Sequence, residues 1–349
     1  NAPKYANTST LIYNAVNPYT VNIEWIGNSN TAGIGIPQNV TLNSSNITMP
    51  TGARGLAGTL TINSGSTINL EGSIGSDLSI GGNLVNNGTF NTNNRTIIFN
   101  GTSAQTITGA TTFDYLTINN STGLTLSGTS SSVTVNQTLA LTSGKITLGA
   151  NNLTIGASGS ITGNSSSNYI VTAGTGQLKR TVGSGAVVFP VGSASAYNSI
   201  TFTNSGTCDV YGVILSSGTV PNVQDATYTV NDRWLVSEAK SGGSNLTVVP
   251  QWNTTDQGTN FASGTQAYIG FYDGTSWTQN TATVSGSNPY TANAASAFTP
   301  STLSGTQYFA VGKDNGFKCA ATPITYSQGF NASTTPACWA TSLVSTSTQ

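Results

Sequence analysis

The residue most often recruited for proton transfer is missing, for the 349-residue sequence contains no histidine. That removes the usual base of Ser and Cys triads and most zinc and copper sites. Carboxylates are the acid–base chemistry left, and a pair of them is enough to hydrolyse a glycoside. The spacing offers no such pair. Between residues 50 and 185 the acids are Glu71, Asp77 and Asp114, with no Asp-x-Asp, Asp-Asp or Gly-Asp pairing. Farther on, Asp209, Asp225, Asp232, Glu238, Asp256 and Asp273 are scattered. Such a set leaves room for one structural calcium ion but gives no assignable ligands. The regular Asp of calcium-binding nonapeptides is also absent. We therefore expect no enzymatic activity and no cofactor.

Three cysteines are present, Cys208, Cys319 and Cys338, and none sits in a Cys-x-x-Cys pair. Zinc ribbons and thioredoxin chemistry are thereby unsupported. Cys319 and Cys338 are the candidate disulfide for an oxidising compartment, with Cys208 unpaired; the alternative is three buried thiols.

Only 6% of residues are charged, and the net charge is −1. Ten basic residues cannot build a phosphate-binding stripe, so we expect no nucleic-acid partner; the adjacent pair Lys179-Arg180 reads as solvated surface. Membrane insertion is not expected either, because no apolar run approaches the roughly 18 residues of a spanning helix. Disorder does not fit 13 Tyr, 11 Phe and 5 Trp among regularly recurring apolar residues. What remains is a fold wetted by Ser, Thr, Asn and Gly, which suits β-structure. The same composition favours an exported bacterial protein, extracellular or on the cell surface, and Asn1 would fit an end left after removal of a leader.

The elements that carry these residues announce themselves by a period. An apolar–x–apolar unit recurs at Val40/Leu42, Leu60/Ile62, Leu78/Ile80, Ile97/Phe99, Leu116/Ile118, Val133/Val135, Leu153/Ile155 and Tyr169/Val171, every 16 to 20 residues. Alternation of period two points one set of side chains inward, and Gly and Asn clusters between the units make turns. Short strands restarting at such intervals describe stacked rungs that share one core. The rival, a meander of hairpins, has no need of so even a period. Ile62, Ile68, Ile74 and Ile80 follow the six-residue spacing of left-handed coils, but the hexad fails at Asn86 and Thr92. A right-handed or irregular parallel β-solenoid is therefore expected over 35–185. The outward positions include Thr41, Thr61, Thr117, Thr134 and Thr154, a candidate Thr ladder of the kind that binds ice. Ser79 and Ile98 interrupt it, and Thr is also the ordinary solvent-facing strand residue.

Beyond Ala186 the period is lost. Strands are expected at 186–191, 197–204, 208–216, 226–238, 245–253, 266–272 and 306–312, with a hairpin at Asp273-Gly274. This reads as a β-sandwich over 186–316. Trp234, Trp252 and Trp277 fall in or beside its strands, either in its core or as a sugar-stacking platform. Residues 1–34 are rich in apolar and aromatic side chains and read as an N-terminal cap. Residues 317–349 read as the start of a third domain.

Certain runs carry a resemblance. Gly82-Asn-Leu-Val-Asn-Asn-Gly-Thr-Phe90, Ile98-Phe-Asn-Gly-Thr-Ser-Ala-Gln-Thr-Ile-Thr-Gly109 and Phe113-Asp-Tyr-Leu-Thr-Ile-Asn119 resemble the β-helical repeats of large Bacteroidota surface proteins. Leu139-Ala-Leu-Thr-Ser-Gly144, Val188-Phe-Pro-Val-Gly192 and Asp232-Arg-Trp234 fit the same group. Tyr326-Ser-Gln-Gly-Phe330 and Pro336-Ala-Cys-Trp339 are similar to the opening of a MAM-like jelly-roll module. The resemblance implies a type IX secretion substrate that serves as an adhesin or surface fibre, with no catalytic motif to carry over. Its partners would be other surface proteins or copies of itself, with glycans as a further class. The alternative is a secreted glycan-binding or glycan-degrading β-helix protein.

Overall fold

A computed structural model describes residues 1–262 and 266–317. Strands make up 49% of the chain, and among the described residues α-helix is confined to the single turn Asp314–Phe317. The fold is all-β, a parallel β-solenoid of about seven turns followed by an antiparallel, sandwich-like sheet.

Each turn of the solenoid lays down up to three short strands, one on each of three faces. The first face is a nine-stranded parallel sheet that begins at Thr10–Tyr13, continues through Asn39–Leu42, Leu60–Ile62 and Leu84–Asn86, and ends at Val191–Gly192. The second starts at Tyr19–Thr20 and stacks Asn46–Met49, Thr67–Leu70 and Thr89–Asn91. The third stacks Arg54–Leu56, Leu78–Ile80, Thr96–Phe99 and the second half of Thr111–Asn119. Inward columns are formed because alternate residues of every strand point the same way, so Val40 lies on Leu60 and then Leu84, while Leu78 lies on Ile97 and then Leu116. All six are fully or almost fully buried.

This register revises the period. Leu60 stacks on Leu84, not on Leu78, and Val133 belongs with Leu153 on the second face. The residues Val40, Leu60, Leu84, Ile107 and Leu126, each paired with the next, put 19 to 24 residues in a turn. The shorter spacing read along the sequence steps from face to face, because the apolar–x–apolar unit looks the same on all three. The parallel strands themselves stand as expected.

Polar side chains close the corners. Gln105 is buried; its Oε1 accepts from Gly101 N and Asn120 Nδ2 at 2.9 Å each, and its Nε2 donates to Ile80 O at 2.8 Å. Asn151 accepts from Ser131 N at 2.8 Å and donates to Gly128 O at 3.0 Å. These carboxamides satisfy turn groups that the strand ladders leave over, which is what permits loops to enter the interior.

The coil is longer at both ends than 35–185. Residues 1–34 do not form a separate cap over the first rung; Thr10–Tyr13 and Tyr19–Thr20 are the first rung, paired in parallel with the second. Val21 and Trp25 are buried behind them, and Trp25 Nε1 donates to Gly55 O at 2.8 Å. At the other end the two parts interleave. Leu178–Val182 pairs in parallel with Leu153–Thr154 and, through its opposite edge, antiparallel with Asp209–Ser217. One strand thus belongs to both sheets.

From there the order is Asp209–Ser217, Thr229–Glu238, Ser304–Gly312, Ala267–Tyr272, Trp277–Gly286, Tyr290–Ala294, Leu246–Trp252, Ile200–Asn204 and Val187–Phe189. The sheet turns back on itself at Trp277–Gly286, whose first half pairs with Ala267–Tyr272 and second half with Tyr290–Ala294. Phe309 is the centre of the aromatic core, with ring centroids of Phe271, Phe298 and Phe202 at 5.0, 5.3 and 5.9 Å. The expected hairpin is present, with Tyr272 opposite Trp277 and Gly274 at φ 107°. Trp277–Gly286 and Tyr290–Ala294 were not foreseen. Residues 318–349, with the candidate pair Cys319 and Cys338 and almost all of the expected third domain, lie outside the described residues.

Candidate functional site

The three acids between residues 50 and 185 each hold a turn or loop. Asp114 Oδ2 accepts from Thr92 Oγ1 at 2.8 Å and Asn94 N at 2.7 Å, and its Oδ1 from Asn136 Nδ2 at 3.3 Å. Burial pushes its carboxyl up, but these three bonds outweigh that and hold it below the usual range. Asp77 Oδ1 accepts from Thr96 N at 2.9 Å, and Glu71 is met at 3.5 Å by Ser73.

The sandwich acids divide in two. Asp209, Asp225, Glu238 and Asp273 hold loops through backbone N–H groups. At Asp273 partial burial raises the carboxyl, yet the bonds from Ser276 and Thr275 bring it down to about 2. Asp232 and Asp256 are brought together. Both Oδ2 atoms accept from the Nδ2 of the fully buried Asn198, Asp256 at 2.9 Å. Asn198 Oδ1 in turn accepts from Asn253 Nδ2 at 2.6 Å, and Asn253 N donates to Asp256 Oδ2 at 3.0 Å. Trp234 Nε1 fixes the Asn198 backbone at 2.9 Å. Burial is the main cause that raises Asp232, Asp256 adds to it, and hydrogen bonds from Ser217 and Asn198 oppose it, leaving the carboxyl at about 7. Asp232 is 1% exposed, so it meets no solvent-borne substrate. Near neutral pH it can exchange a proton, and it is built into the protein's own network.

Beside this network lies a cleft of about 460 Å³ between solenoid loops and the sandwich. Its walls include Ser166, Ser195, Tyr197, Gln251, Asn253 and Asn288. Among the described residues no charged one lines it, so it offers hydroxyls, carboxamides and one aromatic ring, a set suited to a neutral polar ligand.

The candidate Thr ladder is three separate fragments. Thr41 pairs with Thr61 on the first face, Thr134 with Thr154 on the second, and Thr117 stands with Ile98 and Ala140 on the third. The side-chain ladder that does form is of asparagine: Asn91 Nδ2 donates to Asn69 Oδ1 at 2.7 Å, and Asn69 Nδ2 to Asn46 Oδ1 at 3.0 Å. It could be found only once the strands were assigned to faces.

Trp234 and Trp252 are fully buried in the sandwich. Trp277 lies on the outer face of the sheet, its ring 4.6 Å from Phe317, 5.3 Å from Tyr272 and 5.4 Å from Tyr308. Trp277 Nε1 donates to Asn222 O, and Tyr308 OH to Pro221 O at 2.9 Å, so the segment before the Thr229–Glu238 strand lies over this cluster. Cys208 is exposed and unbridged among the described residues. Among the described residues no three His, Cys, Asp or Glu side chains converge on a point that could hold a metal ion, and no helix is long and apolar enough to cross a membrane. The chain matches no protein-family model, no curated protein and no solved structure.

Proposed function

We propose that the chain is a non-enzymatic structural and adhesive segment of an extracellular bacterial surface protein or fibre. The observation that carries this is the strand Leu178–Val182, hydrogen-bonded to the solenoid on one edge and to the sandwich on the other. A rod and a head joined through a shared sheet transmit load without a hinge, which is what a stalk needs. Thr172 strengthens the joint, its Oγ1 accepting from Leu215 N at 2.9 Å while fully buried. The outward Asn ladder and the outward Thr residues of the strands present carboxamides and hydroxyls instead of ions, a surface little affected by salt. The resemblance to Bacteroidota surface proteins supports the same reading, with type IX export as its route and other surface proteins as partners.

A second reading, a secreted glycan-binding or glycan-degrading protein, is favoured by the neutral cleft beside Asp256. One assay separates the two. Beads coated with the protein are offered to bacterial cells and to immobilised polysaccharides, and both attachment and release of reducing sugar are measured. We expect attachment without release. Sugar release abolished by Asp256→Asn would overturn the structural reading in favour of the degrading one.

A further inference from the structure

The cleft of about 460 Å³ at the joint falls within the range of about 300–1,000 Å³ usual for small-molecule sites. Its walls are fixed from both parts of the molecule. Ser166 stands in a solenoid turn closed by Ser165 N, which donates to Asn168 O at 2.9 Å. Asn164 of the same turn donates from Nδ2 to Tyr197 OH at 3.2 Å, and the Tyr197 ring packs 5.3 Å from that of the fully buried Tyr169. On the sandwich side Asn253 is held by Asn198 and Asp256, and Asn288 Oδ1 accepts from Thr254 N at 3.0 Å. A wall ordered before the ligand arrives loses less affinity to ordering on binding. Its hydrogen-bonding capacity is not used up by the fold. Among the described residues the hydroxyls of Ser166 and Thr255 and the Nδ2 of Asn288 have no protein partner, and Tyr197 OH accepts from Asn164 with its own proton unspent.

We propose that this cleft is a binding site for a neutral saccharide, which it holds without cleaving. A sugar ring carries hydroxyls around its edge and C–H groups on its faces, and the cleft answers the first with hydroxyls and carboxamides and the second with the Tyr197 ring. Charge selects the class of sugar. The wall residue Asn253 bonds the Asp256 carboxylate directly, and no described cation lines the cleft, so a uronate or sialate would meet negative charge without a counter-ion. A peptide is disfavoured for a different reason. Extended peptides are recognised by an open strand edge, and the strand Leu246–Trp252 beside the cleft is already paired on both sides, with Ile200–Asn204 and Tyr290–Ala294. Glycosidic cleavage takes a pair of carboxyl groups facing the ligand, and no carboxyl group lines the cleft among the described residues. The inference rests on the glycan reading and deepens it; the structural role does not depend on it.

Calorimetric titration of the 349-residue chain tests it. The probes are a panel of neutral oligosaccharides built from glucose, galactose, mannose, xylose and N-acetylglucosamine, trigalacturonate as an anionic sugar, and acetyl-Gly-Ser-Gly-Ser-amide as a neutral peptide. Saturable binding of at least one neutral oligosaccharide is expected, with none of trigalacturonate or the peptide. The double variant Ser166→Ala and Thr255→Ala removes two exposed hydroxyls that the fold does not use, so its melting should match the parent while affinity falls at least ten-fold. Thr89→Ala, exposed on the second solenoid face, should leave affinity unchanged. Equal affinity in parent and double variant would put the sugar elsewhere, overturning the site and leaving a glycan-binding protein. Binding confined to trigalacturonate would overturn the neutral ligand and leave the glycan reading standing. Binding of no saccharide would overturn both, and binding of the peptide alone would give the cleft to another class of ligand.

Discussion

Asp232 shows how a single buried side chain takes its character from neighbours far away in sequence. Asn198, 34 positions before it, donates to its carboxylate and also to that of Asp256, 58 positions from Asn198. Its folded carboxyl stands at about 7 against an ordinary 3.8, so the folded chain holds that proton more tightly than the unfolded one. The stabilisation it brings is complete below the unfolded value and is lost as pH rises through the folded one. Within that window the loss approaches about 1.4 kcal/mol per pH unit. Asp232→Asn keeps an acceptor for Asn198 and removes the titration. Its urea midpoint should vary less than the parent's between pH 4 and pH 7, and should exceed the parent's at pH 8. Parallel pH profiles for the two proteins would assign the slope to other groups. A sequence reading placed Asp232 among scattered acids because nothing local ties it to Asp256; the two meet only when the strands carrying them are packed.

Among the elements, the turns between rungs carry the tightest constraint. Gly109 has φ 90°, and a Cβ there would lie 1.8 Å from the carbonyl oxygen of Asn86 one turn below. Its N–H donates to Ser131 Oγ at 2.9 Å, so the turn cannot simply swing outward. Gly109→Ala should therefore destabilise by about 2 kcal/mol or more, from strained backbone and a forced shift of the neighbouring rung. Gly65, also at positive φ but with open space around it, serves as control; Ala there meets only the backbone strain and should cost less. Equal losses in chemical denaturation would show that stacking distance is not the constraint. Strands with clean alternation, such as Leu60–Ile62 and Leu246–Trp252, were legible in advance. Trp277–Gly286 was not, because only Ala282 of its ten residues is buried and no alternation marks it.

In the whole molecule, the shared strand makes solenoid and sandwich one hydrogen-bonded body. They should unfold together, in a single calorimetric transition that the near-UV and far-UV signals both follow. Arg180 follows the doubly paired Leu178 and Lys179 and stands opposite Tyr211 of the sandwich, with Nη1 donating to Val188 O. Arg180→Pro puts a residue without an N–H into the shared strand where it pairs with the sandwich. We expect it to split the melt into two transitions, the sandwich moving furthest. A single unsplit transition in the variant would mean that side-chain packing, and not the shared strand, couples the two parts.

The sequence by itself determined the all-β class, the parallel coil in the first half and the antiparallel sheet in the second. These rest on period-two alternation and turn residues, which act over a few positions and are written locally. It also determined most of the inward side chains, since Val40, Leu60, Leu78, Ile97 and Leu116 are each buried. Tertiary structure decided which rung lies on which. Corner loops of unequal length carry the chain from face to face, and an apolar–x–apolar unit bears no mark of its face. For that reason the Thr ladder dissolved into fragments, an asparagine ladder formed instead, and the coil began at Thr10. The meeting of Asp232 with Asp256 and the sharing of Leu178–Val182 both depend on which strand finds which partner. Hydrogen-bonding groups are the same at every residue, so only the packed chain could choose among them.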